Sequence, residues 1–377
     1  MDRRTFLKGS AGVTSLALLA NSPVALAAWR RRPQVTIKAP TDGRDVTNII
    51  LRQIAGAPDG AVIWFPRGRY RCEGSLLIQD RSGLSLRGPA TIYSTAVGPL
   101  DGQGMSQRRH LWFNRCRNIS VKDLHIKSSN LRPNPDQIPG FGAYLAQYEF
   151  EHGFVFHECH GVRVRDCSTK GTWGDGLYIG NQRPSTDVRV NGFTVRYNGR
   201  QGVAISNADG VLLDNVKIMN TRRAGFDLEP AASTWSVTNV EIRNSYTNGY
   251  HIAFPSGGRG DVSNIYLHHN QISGPGGTWV YVASGDGTRR RNWRITDNQV
   301  LNALGTPQSV LRFHRVDDIS ILRNVSPVAT TQSQSCLGVE DCWGTLELRD
   351  NDFRPGGSYV SAINSAPVLM SGNMFGN

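Results

Sequence analysis

The chain alternates apolar and polar residues in short runs that recur about every 25 residues. Three such runs follow Gly176, Gly202 and Gly225 and read L-Y-I, V-A-I and F-D-L. Alternation with a period of two is typical of a strand that buries one of its faces. A unit of this length cannot bury its apolar face alone, so the pattern predicts that successive units stack.

A second strand follows each of these runs, and between Val162 and Val368 the mean step is about 26 residues. Parallel coils suit this period better than the hairpins of a β-sandwich. Many runs end in asparagine, which tolerates left-handed corners and can hydrogen-bond along a stack. The predicted second strands begin at Ile119, Val162, Val188, Val211, Val237, Ile265, Ile295, Ile319, Leu346 and Val368. The asparagines are Asn198, Asn220, Asn244, Asn270, Asn298, Asn324, Asn351 and Asn373.

Residues 34–72 differ from this repeat, because they contain a helical pattern over residues 46–55 and then an apolar strand over residues 61–65. The helix places Ile49, Ile50 and Ile54 on one face, with Thr47 or Asp45 as its N-cap. We expect this helix to cover the open end of the stacked sheet.

One step between second strands, from Ile119 to Val162, is 43 residues long and predicts an insertion over residues 129–148. The insertion contains three prolines and the aromatic residues Phe141, Tyr144 and Tyr148. It is either a plain surface loop or one wall of a binding groove, since loops on a rigid scaffold carry function. The rest of the chain, residues 29–377, is predicted to be one domain, with the cap and first strands in residues 29–75.

Residues 1–28 have the pattern of a twin-arginine signal peptide. Arg3 and Arg4 precede an apolar stretch over residues 11–20, and small residues at Ala25 and Ala27 form a cleavage site. The alternative is an uncleaved signal anchor. Cleavage would release a folded protein into a bacterial periplasm or outside the cell, and no later stretch is apolar enough to span a membrane.

The formal net charge is +12, and about +10 remains after residues 1–28 are removed. A basic exported protein suits an anionic polymer, and the sequence has no nucleic-acid motif. The six cysteines have no zinc spacing. Cys116 and Cys159 occupy equivalent repeat positions and either stack as thiols or pair, and Cys336 and Cys342 flank a turn that a disulfide would close. No motif supports a cofactor, Ca²⁺ included.

The register of the first strands predicts which side chains face outward. Inward positions are apolar in every repeat, for example Leu177 and Ile179, and the same register gives Tyr250 and Ile252 in a later repeat. The outward column is Trp112, Val155, Tyr178, Ala204, Asp227, His251, Tyr281 and Arg312, and the next column is Asn114, His157, Gly180, Ser206, Glu229, His314 and Glu340. His152, Asp175, Gln201 and Asn248 precede the glycines. Aromatic and charged groups in such columns favour a carbohydrate site over a merely solvated face.

Asp227 and Glu229 lie two residues apart on one strand, so we expect their carboxylates on one face about 6–7 Å apart. That distance is near the lower limit for an inverting glycosidase. The alternative is that both acids are solvated or paired with Arg200, Arg222 or Arg223. His251 is expected one coil from Asp227 within hydrogen-bond reach, where a carboxylate would raise its pKa.

The cap pattern D-G-R-D-V-T, the strand V-I-W-F-P-R-G-R-Y and the coils G-D-G-L-Y-I, R-Q-G-V-A-I and A-G-F-D-L-E-P resemble the pectin-lyase-like superfamily of right-handed parallel β-helices. The resemblance covers the chain after residue 28 and implies an all-β solenoid with an N-terminal helical cap. It does not fix an activity, because this fold carries lyases, hydrolases, epimerases and adhesins.

Within that superfamily the pattern is most similar to the polygalacturonases, but only in part. Asp175 matches the first acid of their catalytic set. Arg200 and Gln201 stand where the acid pair is expected, and Ala224 stands where the histidine is expected. The pectate-lyase calcium signature and the D-P-H cluster of alginate epimerases are also missing.

We therefore predict an exported enzyme that cleaves a polar, acidic polysaccharide, most simply by β-elimination. The candidate catalytic residues are Asp175, Tyr178, Asp227, Glu229 and His251. The candidate substrate-binding residues are Trp112, Tyr144, Gln201, Tyr281, Arg312 and His314, with Arg312 neutralising a uronate carboxylate and Tyr281 as a second possible proton donor. The alternatives are hydrolysis by Asp227 and Glu229, or a polysaccharide-binding surface protein without catalysis.

Overall fold

The computed structural model describes residues 32–130, 140–249, 251–274, 278–301, 310–327, 335–354 and 360–376. The part of the chain from Gln34 onward forms one compact unit. Within these residues the regular structure is almost entirely extended, apart from helix α1 (Thr47–Ala55) and a short 3₁₀ turn (Ala146–Tyr148). No helix in the described part has the length and apolar character needed to cross a membrane.

The strands follow one another in short segments along the whole unit. In the first half they are β1 (Gln34–Thr36), β2 (Val62–Trp64), β3 (Gly68–Arg71), β4 (Leu76–Gln79), β5 (Ser85–Tyr93), β6 (Arg109–Asn114), β7 (Arg117–Lys127), β8 (His152–His157), β9 (His160–Arg165), β10 (Ser168–Lys170), β11 (Leu177–Ile179), β12 (Ser185–Asn191), β13 (Thr194–Arg196), β14 (Val203–Ile205), β15 (Ala208–Asp214) and β16 (Lys217–Met219). In the second half they are β17 (Phe226–Leu228), β18 (Ser236–Arg243), β19 (Tyr246–Thr247), β20 (Phe254–Ser256), β21 (Asp261–His268), β22 (Gln271–Ile272), β23 (Val280–Val282), β24 (Arg290–Thr296), β25 (Gln299–Val300), β26 (Leu311–His314), β27 (Val316–Leu322), β28 (Leu337–Glu340), β29 (Trp343–Arg349), β30 (Val360–Ile363) and β31 (Val368–Ser371).

Each strand pairs in parallel with the equivalent strand of the next coil. The first strands form a six-stranded sheet in the order β4, β6, β8, β11, β14, β17 and a five-stranded sheet in the order β20, β23, β26, β28, β30. The second and third strands belong to a twenty-stranded sheet. Every predicted second strand lies within one of its strands, so the all-β solenoid expected from the repeat is confirmed.

The core fills the inside of the coils with apolar side chains in register. Leu177 pairs with Val203, which pairs with Phe226, and each of these side chains is buried. Aromatic rings also stack between coils, as do Phe226 and Phe254 with centroids 5.3 Å apart. Because each coil covers the apolar face of its neighbour, the unit needs no second layer of helices.

Helix α1 begins one residue later than predicted and packs against β4, the first strand of the six-stranded sheet. Ile50 and Ile54 are buried in the core, whereas Ile49 is only partly buried. The N-cap is Val46 rather than Thr47 or Asp45, because the helix begins at Thr47 itself. The Asp45 carboxylate, one residue before the N-cap, accepts a hydrogen bond of 3.0 Å from the Thr47 N–H and so satisfies one donor of the first helical turn.

All six cysteines are buried thiols, so the disulfide offered for Cys336 and Cys342 is not formed. Cys116 and Cys159 stack in successive coils and hydrogen-bond through their side chains, which is the thiol alternative left open by the sequence. Of the expected insertion, residues 131–139 lie outside the described part.

Candidate active site

The six-stranded sheet presents the predicted outward column. Trp112 lies beside Val155, which pairs with Tyr178, and Ala204 lies between Tyr178 and Asp227. Further along the chain, Tyr281 pairs with Arg312, and His314 pairs with Glu340 as expected. The register prediction is therefore confirmed on both sides of one discontinuity.

That discontinuity corrects the position of His251. The Phe226 N–H donates to the Ala253 carbonyl at 2.8 Å, so Ala253 takes the place of a leading glycine and Pro255 follows Asp227 in the column. The expected neighbour, His251, lies four residues earlier in the turn. Its Nε2 is 3.4 Å from Arg222 Nη1. The inward positions assigned to this coil shift in the same way, because Phe254 fills the core there and the predicted inward residue Ile252 is only half-buried. Tyr250 lies outside the described residues.

The reason for this shift is the length of one coil. The step from Phe226 to Phe254 is 28 residues, against 23 from Val203 to Phe226. The register set by Gly249 is therefore four residues too early, and residues 251–253 belong to the preceding turn. Burial lowers the pKa of His251, and the charges of Arg222 and Arg223 lower it further, which is the opposite of the rise expected beside a carboxylate.

A pocket of about 190 Å³ opens over this sheet between the turns on either side of it. It combines basic, aromatic and acidic groups. Its lining residues are Arg109, Phe150, His152, His157, Tyr178, Asn181, Arg200, Ala204, Ile205, Ser206, Glu229 and Ala231. Of the predicted catalytic residues, Tyr178 and Glu229 reach this pocket directly.

Three acids lie at or beneath the floor of the pocket. Asp175 is completely buried and Asp227 is 5% exposed, whereas the side chain of Glu229 is 42% exposed. Gln201 links the two buried acids, since its N–H donates to Asp175 Oδ1 at 3.0 Å and its Nε2 donates to Asp227 Oδ2 at 2.8 Å. The sequence predicted Gln201 as a substrate contact, but the structure places it between carboxylates.

Arg200 lies between these acids and a fourth carboxylate, that of Glu149. Its guanidinium lies 3.3 Å from Asp175 Oδ2, 3.6 Å from Glu149 Oε2 and 3.9 Å from Glu229 Oε2. Burial alone would lower the pKa of Arg200, but the surrounding carboxylates, Asp175 first, raise it overall. Of the arginines proposed as partners of the acid pair, Arg200 is the one beside Glu229.

Burial raises the pKa of both buried acids. The pKa of Asp175 rises to about 6, although Arg200 and the Gln201 N–H oppose the rise. The pKa of Asp227 is raised well above its usual value by burial and by the charge of Glu229, with which it shares a hydrogen bond. A shared hydrogen bond requires the two carboxyl groups to lie closer than the roughly 6–7 Å expected from strand geometry.

Two histidines and Tyr178 form an aromatic cluster in the lining of the same pocket. The His152 and Tyr178 rings stack at 4.8 Å, and His157 meets the edge of Tyr178 at 5.6 Å. The sequence placed both histidines in outward positions without giving them a role. Their spacing of five residues on one strand, each one coil from Tyr178 or Asp175, was the available signal.

Both histidines are held neutral with a defined tautomer. Burial lowers the pKa of His157 to about 3 and lowers that of His152 well below its usual value, and the charge of Arg109 adds to both effects. His157 Nδ1 accepts from Trp112 Nε1 at 3.2 Å, and His152 Nδ1 accepts from the Asp175 N–H at 3.0 Å. Each ring therefore carries its proton on Nε2, where it can act as a hydrogen-bond donor.

Burial also raises the pKa of Tyr178. Its phenol is therefore protonated at neutral pH and can donate a proton but not accept one. Arg109 lies over the Trp112 ring at 4.5 Å, and its buried Nε has no hydrogen-bond partner among the described residues. These two groups are the clearest candidates for contact with a bound ligand.

The remaining predicted contacts lie at the margins. The Tyr144 hydroxyl donates to Glu149 Oε2 at 3.0 Å, and the same oxygen lies 3.6 Å from Arg200. Tyr281 lies two strands beyond Asp227, Arg312 lies three strands beyond it, and His314 shares the Arg312 strand. Adjacent strands are about 4.8 Å apart, so none of these three reaches the pocket. No group of three or more His, Cys, Asp or Glu side chains in the described ranges is arranged to hold a metal ion.

Comparison with known proteins identifies the fold. The family model described as right-handed β-helix region matches residues 71–239 and 111–300, together more than half of the chain. A comparison with curated protein sequences finds no match.

Solved structures with the same fold are distant in sequence. A family 28 exopolygalacturonase from Yersinia enterocolitica is 13% identical, with a TM-score of 0.57 over 92% of this chain and 78% of its own. Endopolygalacturonase I from Stereum purpureum is 13% identical, with a TM-score of 0.59 over 90% of this chain and 99% of its own. An endo-xylogalacturonan hydrolase from Aspergillus tubingensis is 12% identical, with a TM-score of 0.57 over 91% and 94%. The chain belongs to the right-handed β-helix family.

Proposed function

We propose that the protein cleaves an acidic polysaccharide by β-elimination in the pocket over the six-stranded sheet. One observation carries the proposal. Two guanidinium groups, two neutral histidines and a protonated tyrosine line one pocket with the partly exposed carboxylate of Glu229. Elimination from a uronic acid needs these functions, namely charge neutralisation, a base and a proton donor.

A uronate carboxylate is the substrate group that the pocket suits best. Arg109 and Arg200 place two guanidinium charges in the lining of the pocket, and the Nε of Arg109 is a donor that no described residue occupies. The Nε2 donors of His152 and His157 add neutral hydrogen bonds. As their names state, the polygalacturonases and the xylogalacturonan hydrolase with the same fold act on polysaccharides. This supports a polymeric substrate here.

The reaction would begin at the carbon that carries the bound carboxylate. Neutralisation of that carboxylate acidifies the adjacent C–H, and Glu229 accepts the proton. The electron pair forms a carbon–carbon double bond as the glycosidic C–O bond breaks. Tyr178 then gives its proton to the leaving oxygen. This assignment keeps Tyr178 from the sequence prediction and replaces His251 and Arg312, which lie outside the pocket.

Hydrolysis is the second candidate, and it rests on the pair of Asp227 and Glu229. Burial and the neighbouring charge keep Asp227 protonated, which is the state required of a general acid. Glu229 would then activate water. Elimination remains the stronger proposal, because Asp227 lies beneath the pocket, where it accepts a hydrogen bond from Gln201 Nε2 and shares another with Glu229.

The product distinguishes the two reactions. We expect digestion of polygalacturonate, alginate or a related uronic-acid polymer to produce an unsaturated sugar end that absorbs in the ultraviolet. Tyr178→Phe should reduce this rate by about 10²-fold or more, the typical contribution of a proton donor. Tyr281→Phe, two strands outside the pocket, serves as the matched control and should retain activity.

New reducing ends without ultraviolet absorbance would reject elimination in favour of hydrolysis. Binding without turnover on a panel of acidic and neutral glycans would favour a polysaccharide-binding protein. We further propose that residues 1–28 direct twin-arginine export, so that the enzyme acts in the periplasm or outside the cell.

A further inference from the structure

A second, larger cleft lies beside the pocket, over the turns that follow β4, β6, β8 and β11. It has a volume of about 520 Å³. We call it the turn cleft and define it by Arg81, Arg115, Arg117, Glu158, His160 and Arg183, which are among its lining residues. Neither the proposed reaction nor the core packing uses this concave surface.

Two of the four arginines in the turn cleft are already paired. Arg81 Nε donates to Asp59 Oδ1 at 2.8 Å, and its other nitrogens donate to main-chain carbonyls. Arg115 makes a bidentate contact with Asp80 at 2.7 and 2.8 Å. These pairs fix the walls of the cleft but have little capacity left for a ligand.

Arg117 and Arg183 differ from these two, because they are exposed and neither guanidinium makes a hydrogen bond or ion pair with any described residue. Each guanidinium carries five donors that suit a carboxylate or sulfate. His160 lies between them with its Nδ1 fixed at 2.5 Å from Thr186 Oγ1. The turn cleft therefore presents uncompensated positive charge in a concave site.

The turn cleft continues directly from the active-site pocket. His157 lines the pocket and the next residue, Glu158, lines the cleft; Asn181 lines the pocket and Arg183 lines the cleft. Asn181 Nδ2 and Glu158 Oε1 are 3.4 Å apart and form the low ridge between the two. A polymer with one sugar in the pocket can cross this ridge without leaving the surface.

We propose that Arg117 and Arg183 bind an anionic group, a carboxylate or a sulfate, on a sugar further along the polymer from the one in the pocket. The proposal rests on the proposed function only for the polymeric nature of the ligand. The turn cleft would favour long anionic chains over short or neutral ones, since charge-assisted hydrogen bonds hold the distal part of the chain.

Affinity electrophoresis of the full chain tests this site, with Tyr178→Phe in every sample to prevent turnover. The gels contain polygalacturonate, dextran sulfate or a neutral glucan. We expect Arg117→Ala with Arg183→Ala to weaken retention by at least about tenfold on the polymer that binds, as the loss of two charged contacts implies. The polymer retained by the parent protein decides between carboxylate and sulfate.

The matched control is Arg165→Ala with Arg196→Ala, which removes the same charge from exposed positions on the twenty-stranded sheet. This control should change retention by less than about twofold. Equal weakening by both double variants, or no weakening by the first, would overturn the turn-cleft site. Arg117→Lys with Arg183→Lys should keep part of the retention that the alanine variants lose, because both positive charges remain.

The two proposals fail separately. Ultraviolet-absorbing products from a protein whose retention does not depend on Arg117 and Arg183 would leave the enzyme proposal intact and remove the second site. Retention that depends on both arginines, without turnover of any polymer, would support the turn-cleft site and reject the enzyme proposal.

Discussion

At the scale of single residues, burial and neighbouring charges together set the pKa values of the candidate site. Four carboxylates surround Arg200, and two of them, Asp175 and Asp227, are buried enough for their pKa values to rise. Such pairs of acids in different environments are typical of sites that separate proton donor from acceptor. Burial has the opposite effect on His152 and His157, since it favours their neutral form.

The raised pKa of Asp175 predicts a specific pH dependence of stability. Its pKa is 3.8 in an ordinary environment and about 6 in the folded protein. Between those values the folded state retains a proton that the unfolded chain loses, so this group makes stability fall as pH rises from about 4 to 6. The loss amounts to about 3 kcal/mol, from about two pKa units at 1.36 kcal/mol each.

Asp175→Asn should remove that component. We expect the free energy of unfolding, measured by chemical denaturation at pH 4 and pH 6.5, to fall less in the variant than in the parent protein. Asp123→Asn, at a half-exposed position paired only loosely with Lys122, is the control. An unchanged pH dependence in Asp175→Asn would show that this carboxyl is ionised in the folded protein throughout that range.

At the scale of elements, two neighbouring positions supply the left-handed backbone and the hydrogen bonds at the corners of the coils. The sequence led us to expect left-handed asparagines, and Asn220 and Asn244 are left-handed, with φ of 58° and 49°. In the later coils the residue before the asparagine takes that conformation instead, for example Asp297 with φ of 57°. The asparagine itself then points inward, because its amide can satisfy buried main-chain groups that an apolar residue would leave unpaired.

The resulting ladder runs through Asn270, Asn298, Asn324, Asn351 and Asn373. Asn298 Nδ2 donates to the Leu267 carbonyl at 2.9 Å and to Asn324 Oδ1 at 2.9 Å, and its Oδ1 accepts from the Asn270 N–H at 3.0 Å. This confirms the expectation that stacked asparagines bond along the pile. It also ties each coil to the next at a buried corner.

Asn298→Ala should therefore destabilise the protein by about 2–5 kcal/mol, because it leaves at least two buried main-chain groups without partners. Asn292→Gly is the control, since Asn292 belongs to an exposed ladder and glycine adopts its left-handed backbone without strain. Thermal unfolding of both variants gives the comparison. Similar melting temperatures for the two would mean that the buried ladder contributes no more than the exposed one.

At the scale of the whole molecule, the solenoid has ends that its repeat cannot cover. Helix α1 packs its apolar side against β4 and places Ile50 and Ile54 in the core. A helix in this position protects strand edges that would otherwise pair with other chains. The site begins one coil beyond β4 and extends from β6 to β17, where neighbouring coils support it on both sides.

Ile50→Asp should expose that end. A carboxylate at a fully buried position has no partner there, so we expect a loss of at least about 4 kcal/mol and aggregation of the protein. Asn48→Asp adds the same charge to an exposed position of the same helix and should be nearly neutral. Denaturant unfolding combined with light scattering measures both effects. Soluble Ile50→Asp of unchanged stability would mean that α1 is not needed as a cap.

The sequence by itself determined the solenoid, because a two-residue alternation inside a repeat of about 25 residues has few ways to bury its apolar faces. It also placed Trp112, Tyr178, Asp227 and Glu229 on one surface, since strand pairing aligns equivalent positions. Only the tertiary structure decided what surrounds them. Coil lengths differ by several residues, and the excess enters turns that carry no periodic signal, so Pro255 rather than His251 follows Asp227.

Burial was the second property that the sequence did not contain. The pattern gives the direction of a side chain relative to its strand, but the turns on either side decide whether it meets water. Arg200 comes from such a turn and lies across Asp175 and Glu229. The pKa shifts of the acids in the site arise from this contact with Arg200 and from the depth at which the acids are buried. The contact and the depth both depend on segments that lie far apart in the sequence, so a local pattern does not predict them.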